Sequence, residues 1–279
     1  MIGDNLSKTK IFGIIAIKGG VGKTTCTSNL AAVLANEFNK RVLVVDANFS
    51  APNLGLHLGI VEPEKTLHDV LLDKAPITDA VYQTDYGFDI VPASLMNKKV
   101  NPFKLKQKVH MLRDSYDIIL IDSSPNLNDE ILATMVAADK LLVVSSPDYP
   151  TLSCTMQAVK TAKSKRTNIA GLILNRVYNK KFELTVSDIE DAAETPVLAV
   201  VPHDVRVLEA LSKSMPAALN TPLSDAIIEY KHLAACLINE KYNDPRFKTK
   251  IKKLFGSGRV LKHEVNRAII IDGVKDRKL

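Results

Sequence analysis

A chain of 279 residues that is 46% apolar and carries a net charge of +6 has material for one large α/β domain or two small ones. Its three cysteines, Cys26, Cys154 and Cys236, lie far apart with no C-x-x-C pair, which gives no zinc or disulfide framework and suits reduced thiols in a cytoplasm. No apolar run approaches the ~20 residues needed to cross a bilayer, and Met1-Ile2-Gly3-Asp4-Asn5 lacks the charged-then-apolar build of a signal peptide, so a soluble protein is expected.

The first element is Ile11–Ile17, a short apolar run that reads as a buried strand. Lys18-Gly19-Gly20-Val21-Gly22-Lys23-Thr24-Thr25 follows it, and Leu30, Val33, Leu34 and Phe38 then recur at helical spacing. Strand, glycine loop, lysine, hydroxyl and helix form the context of a phosphate-binding loop. Glycines let backbone N–H groups approach anionic oxygens that side chains would block. Lys23 offers a point charge to the terminal phosphates, and the Thr24 hydroxyl suits magnesium.

The strict pattern G-x-x-x-x-G-K-[ST] fails, because Ile17 stands where it wants glycine, and a second lysine, Lys18, precedes the glycines. The loop therefore resembles the deviant Walker A loop of the MinD/ParA/nitrogenase-iron-protein ATPases. That resemblance implies an ATP-dependent homodimer in which Lys18 reaches across to the partner's nucleotide. It also implies ATP/ADP and Mg2+ as ligands, and phosphate contacts from Gly19, Gly20, Val21, Gly22, Lys23, Thr24 and Thr25.

The next strand, Arg41–Asp46, leads into Asp46-Ala47-Asn48. By resemblance this is the first switch segment, with Asp46 beside the magnesium. The family's second acid, which orients or deprotonates the attacking water, is here Asn48, an amide that holds a water but cannot accept its proton. Hydrolysis is then expected to be slow. After Phe88–Val91, the run Asp117–Asp122 ends in an acid as a Walker B strand does, with Asp122 on the magnesium side. Ser123-Ser124-Pro125 resembles the second switch.

Lys140–Ser145, Ile169–Asn175 and Val197–Val201 complete seven strand-like runs. Helical patterns at 23–38, 66–73, 103–114, 128–138, 151–164, 185–194, 204–213 and 222–240 alternate with them. The alternation predicts a single doubly wound, mostly parallel sheet with helices on both faces. Asn175, Arg176 and Pro202, at the ends of the last two strands, match the family's adenine site, although Asn and Pro also simply terminate strands. Helix 151–164 resembles the family's docking face for a regulatory protein. The six histidines are scattered, so no metal beyond magnesium is expected.

The ATPase pattern ends near Tyr242, giving 1–242 as the ATPase domain, 243–256 as an amphipathic helix and 257–279 as a basic extension. Residues 246–279 hold eleven Lys/Arg against Glu264, Asp272 and Asp276, a net of +8, so the +6 total leaves −2 for the rest. A helix from Pro245, capped by Asp244, would gather Phe247, Ile251, Leu254 and Phe255 on an arc of about 80°, beside Lys248, Lys250, Lys252 and Lys253. That composition suits an anionic membrane surface, docking on the protein body, or DNA phosphates. Its position resembles the membrane-targeting end of MinD, which implies a cytoplasmic protein with peripheral membrane association. The extension's apolar centre, Ala268-Ile269-Ile270-Ile271, suits a strand or a helix cover. Three functions are carried forward: a MinD-like positioning ATPase, an ATP-binding scaffold with little hydrolysis, and a ParA-like DNA partitioning factor. An iron–sulfur carrier lacks its paired cysteines.

Overall fold

Residues 9–96, 99–246 and 261–275 are described by the structure, a computed structural model. Among the described residues eight strands form one sheet: β1 (Lys10–Ile15), β2 (Val42–Ala47), β3 (Tyr82–Gln83), β4 (Asp89–Val91), β5 (Ile118–Ser123), β6 (Lys140–Ser145), β7 (Asn168–Val177) and β8 (Val197–Pro202). Their order is β3-β4-β2-β5-β1-β6-β7-β8, parallel except for the β3–β4 pair. The pattern predicts seven of these strands. The eighth, β3, has two residues, too few to carry a period.

Helices α1 (Lys23–Asn36), α2 (Leu54–His57), α3 (Leu67–Leu71), α4 (Leu105–His110), α5 (Asp129–Ala137), α6 (Tyr149–Ser164), α7 (Val186–Ala193), α8 (Val205–Ser212), α9 (Ala217–Asn220), α10 (Asp225–Ile238) and α11 (Lys262–Lys275) surround it. Side chains alternate across the sheet as the pleat requires. Phe12, Ile14, Val44, Leu120 and Leu142 pack with residues of α1 and α10 on one face. Ile11, Leu43, Val45, Ile119 and Ile121 pack under α3 and α4 on the other. Ile15, Leu141, Val143 and Leu172 extend that second face under α5, α6 and α7. Both faces being covered explains why the strands read as unbroken apolar runs rather than alternating ones. Helix α1 is buried from Cys26 to Ala35, as a helix between the sheet and α10 must be. Among the described residues no helix is long and apolar enough to cross a membrane.

The chain order turns back around β1, which lies between β5 and β6. Ligands of open parallel sheets bind outside the carboxyl ends of strands at such a reversal. The loop after β1 and the acids ending β2 and β5 thereby share one crevice.

Within the C-terminal extension, Lys262–Lys275 is helical. Helix α11 lies along β8, the last strand of the sheet, and against α10. Its buried stripe is largely polar: His263, Arg267 and Ile271 face inward, while Leu261, Val265 and Ile269 are exposed. The reason lies in the edge strand, whose carbonyls need partners. Asn266 Nδ2 donates to Val197 O at 2.8 Å, and Arg267 Nη1 donates to Leu198 O at 2.8 Å and to Glu229 at 2.6 Å. Glu229 in turn accepts Val200 N at 2.9 Å. Replacing Arg267 with alanine takes the donor from the Leu198 carbonyl and leaves Glu229 only the Val200 amide and His263, and is expected to cost about 2 kcal/mol in urea unfolding. An unchanged midpoint would mean that α11 is not part of the cooperative unit.

Asp244 accepts the amide of Arg246 at 3.0 Å, the contact of an N-cap with the residue two positions on. Phe247, Ile251, Leu254 and Phe255, the apolar face expected of the following helix, lie outside the described residues.

Candidate functional site

The loop between β1 and α1 is shaped by left-handed glycines: Gly20 has φ 77° and Gly22 has φ 95°. Gly22 is the N-cap of α1 and no side chain caps that helix. In contrast, α5, α6, α8 and α10 are capped by Asn128, Asp148, Asp204 and Ser224. An uncapped helix N-terminus behind a glycine turn presents its amides to an anion. Asn175 Nδ2 donates to Val21 O at 2.8 Å, and a Cβ on Gly22 would overlap that same nitrogen. The loop thus closes on the end of β7, and only glycine fits at the contact.

Two acids meet beside the loop. In the β2–β5 pairing Asp46 stands opposite Asp122, and both are buried. Asp122 accepts Thr24 Oγ1 at 2.6 Å and Thr27 Oγ1 at 3.2 Å. Burial pushes Asp122 up to about 6, held back by Thr24, Lys23 and Thr27. Asp46 is pushed up to about 8, by burial first and then by the charge of Asp122. Both carboxyls are thus held above the usual carboxylate range, Asp122 with two hydroxyls and a lysine beside it and Asp46 with backbone amides. Lys23 is buried too, and desolvation lowers its pKa against the pull of Asp122. Two buried carboxylates with a single desolvated lysine leave the crevice short of positive charge. A hard divalent cation with oxygen ligands fits that deficit. Among the described residues no group of three His, Cys, Asp or Glu could hold a metal. The donors fit magnesium, which takes one or two carboxylates and completes its shell with water and substrate phosphate. Thr24, Asp46 and Asp122 are the residues that would hold it.

After β2 the chain folds tightly around Asp46, whose carboxylate accepts Asn48 N at 3.1 Å and Leu54 N at 3.2 Å. Asn48 is buried, its Nδ2 donates to Ala51 O, and its Oδ1 has no partner among the described residues. Lys18 reaches another way. Its Nζ lies 3.7 Å from Asp148 of its own chain, both side chains being more than 40% exposed. Such a pair contributes less than about 1 kcal/mol, so it does not tether Lys18.

Asn175, Arg176 and Pro202 line one narrow cleft with His203, Val207 and Leu208. Tyr178 stacks on His203, one of the lining residues, with ring centroids 4.6 Å apart. On helix α6, Tyr149 and Met156 are exposed. Sequence reasoning missed Asp148, although Asp148-Tyr149-Pro150 carries the signal of an N-cap followed by proline in the first turn. It also missed Glu130, which accepts the amides of Phe49 and Ser50. No local pattern announces a contact between residues 81 positions apart.

A family model described as an AAA domain matches residues 9–173. An uncharacterised ATP-binding protein of Methanocaldococcus jannaschii is 37% identical over 249 residues, 86% of this chain and 94% of that one. The chromosome partitioning protein ParA of Caulobacter vibrioides is 31% identical over 233 residues, 75% of this chain and 86% of that one. Among solved structures, the septum site-determining protein MinD of Pyrococcus horikoshii, complexed with Mg-ADP, superposes with a TM-score of 0.78 at 33% identity, over 82% of this chain and 96% of that one. With relatives of this similarity named for both MinD and ParA, and the two-lysine loop seated at the turning point of the same sheet, the chain belongs to the MinD/ParA family of P-loop ATPases.

Proposed function

We propose that this protein is a MinD-like switch. It binds ATP with magnesium and dimerises around the nucleotides. It associates with an anionic membrane through residues 243–256 and is released by slow hydrolysis to ADP and phosphate. Its role would be spatial positioning, in cell division or a related process. The observation that carries the reading is the charge-deficient crevice in which Thr24, Asp122 and Asp46 meet Lys23 at an uncapped helix.

In this reading the amides of Gly19 to Thr25 hold the phosphates, and Lys23 keeps its proton because phosphate charge offsets its burial. Lys18 leaves Asp148 for the partner's nucleotide, a transfer that a loose ion pair does not oppose. Asn175, Arg176 and Pro202 hold the base. Magnesium, when bound, neutralises phosphate charge. Asn48 presents its Oδ1 to the attacking water but leaves the proton to other groups, which makes the switch a slow timer. Exposed Leu261, just before α11, and Val265 and Ile269 on it lie next in sequence to the lysine-rich segment and support a tail that meets an apolar surface. The exposed side of α6 would receive a regulatory protein. The partnerless Asn48 Oδ1 also favours a second reading, a scaffold that binds ATP and barely cleaves it.

The test uses the full chain, because ending it at Tyr242 would remove α11 and uncover β8. Phosphate release, mass in solution and co-sedimentation with vesicles of anionic phospholipid would be measured with ADP and with ATP. We expect slow turnover, a dimer only with ATP, and pelleting only with ATP. The double variant Phe247→Glu, Leu254→Glu should stay in the supernatant. Equal pelleting of both proteins would end the membrane reading, and ATP-dependent, salt-sensitive DNA retention without pelleting would support ParA-like partitioning. Asn48→Asp is expected to raise turnover about tenfold. No rise would mean that position 48 is not where an acid is missing. ATP-dependent dimers without turnover would leave the scaffold.

A further inference from the structure

Two segments flank the crevice, the turn after β5 and the stretch between β2 and α2, and one side chain joins them. Ser124 Oγ donates to Asn128 Oδ1 at 3.0 Å, and the same oxygen caps α5 by accepting Ile131 N at 3.1 Å. Asn126, left-handed at φ 71°, donates its amide to Ile17 O at 2.8 Å at the entrance of the phosphate loop. The first turn of α5 is therefore bound to the residues that would feel a terminal phosphate.

Glu130 projects from that turn to the other segment. Its Oε2 accepts Phe49 N at 3.1 Å and Ser50 N at 3.4 Å, and its other oxygen pairs with the Ser50 hydroxyl. Successive amides converging on one carboxylate oxygen make a nest-like, charge-assisted contact. The contact begins one residue after Asn48, whose buried Oδ1 lacks a partner among the described residues. A favourable interaction with the helix dipole does not explain this geometry, since Asp129 already supplies an acid in the first turn.

We propose that Glu130 is a positioning residue that couples the phosphate-sensing turn after β5 to the Asn48 segment, so that nucleotide arrival sets Asn48 for the reaction. This rests on the ATPase reading above. An amide in place of the usual acid makes placement of the water the main contribution position 48 offers, and placement depends on what holds the segment.

Hydrogen exchange followed by mass spectrometry, with and without Mg2+ and a non-hydrolysable ATP analogue, tests the coupling in the wild type, Glu130→Ala and Glu130→Gln. Steady-state ATP hydrolysis is measured beside it. In the wild type the analogue should slow exchange at both 18–25 and 48–53. Glu130→Ala should keep the first response and lose the second, with kcat down about tenfold and KM for ATP within about twofold. Glu130→Gln, which keeps an acceptor oxygen, should recover most of both. A wild-type response at 48–53 in Glu130→Ala overturns the coupling. So does a loss at 18–25 that follows the loss at 48–53, which would mark a structural role. If the wild type shows no response even at 18–25, nucleotide binding itself fails and the coupling falls with it. A wild type that responds without hydrolysing leaves the exchange arm to decide.

Discussion

Gly22→Ala is expected to weaken Mg·ATP binding by about 100-fold or more, measured by titration with a fluorescent ATP analogue. Three costs fall together. Alanine at φ 95° sits in a region that L side chains avoid, at about 1–2 kcal/mol. Its Cβ overlaps Asn175 Nδ2, so Asn175 must give up Val21 O and shift within the cleft it shares with Arg176 and Pro202. The backbone can relieve the overlap only by turning, which re-aims the amides of α1's open first turn. Thermal unfolding without nucleotide provides the control. A drop of a few degrees with loss of the Mg·ATP-induced rise in Tm is the expected pattern. Undiminished affinity would show that the left-handed turn is dispensable for binding.

Asp46→Asn should stabilise the nucleotide-free protein at pH 8 by on the order of 3 kcal/mol while removing magnesium-dependent stabilisation by nucleotide. The sign follows from linkage. Folding raises the Asp46 carboxyl from an ordinary 3.8 to about 8, so the folded chain binds that proton more tightly than the unfolded one. Its stabilising contribution is complete below the unfolded value and is lost as pH rises toward about 8. Asp122, raised to about 6, adds a loss confined to the lower part of that window. The wild type should therefore lose Tm from pH 5 to 8, and the variant should lose much less above pH 6. Asparagine also places an N–H against Leu54 N or Asn48 N, which offsets part of the gain. Parallel Tm profiles for the two proteins across this range would contradict a protonated Asp46.

Much of this was legible in the sequence because it is local. Seven strands announced themselves by buried apolar runs, and the phosphate loop by a spacing of glycines and lysines that chemistry allows few other uses. Other parts rest on contacts between distant residues. The stretch Lys262–Lys275 mixes charge with Ala268-Ile269-Ile270-Ile271 and fits a strand or a helix until β8 offers carbonyls for Asn266 and Arg267. Glu130 reads as an ordinary acid at the start of a helix, and its amide partners arrive only when β2 pairs with β5.

By itself, then, the sequence determined a parallel α/β sheet and a loop able to hold phosphate, because periodicity and short-range backbone chemistry are written in consecutive residues. The tertiary structure alone decided the buried, facing placement of Asp46 and Asp122, the loose pairing of Lys18 with Asp148, and the fit of Gly22 against Asn175. Each of these depends on burial or on the distance between groups far apart in the chain, and neither quantity exists before the chain folds.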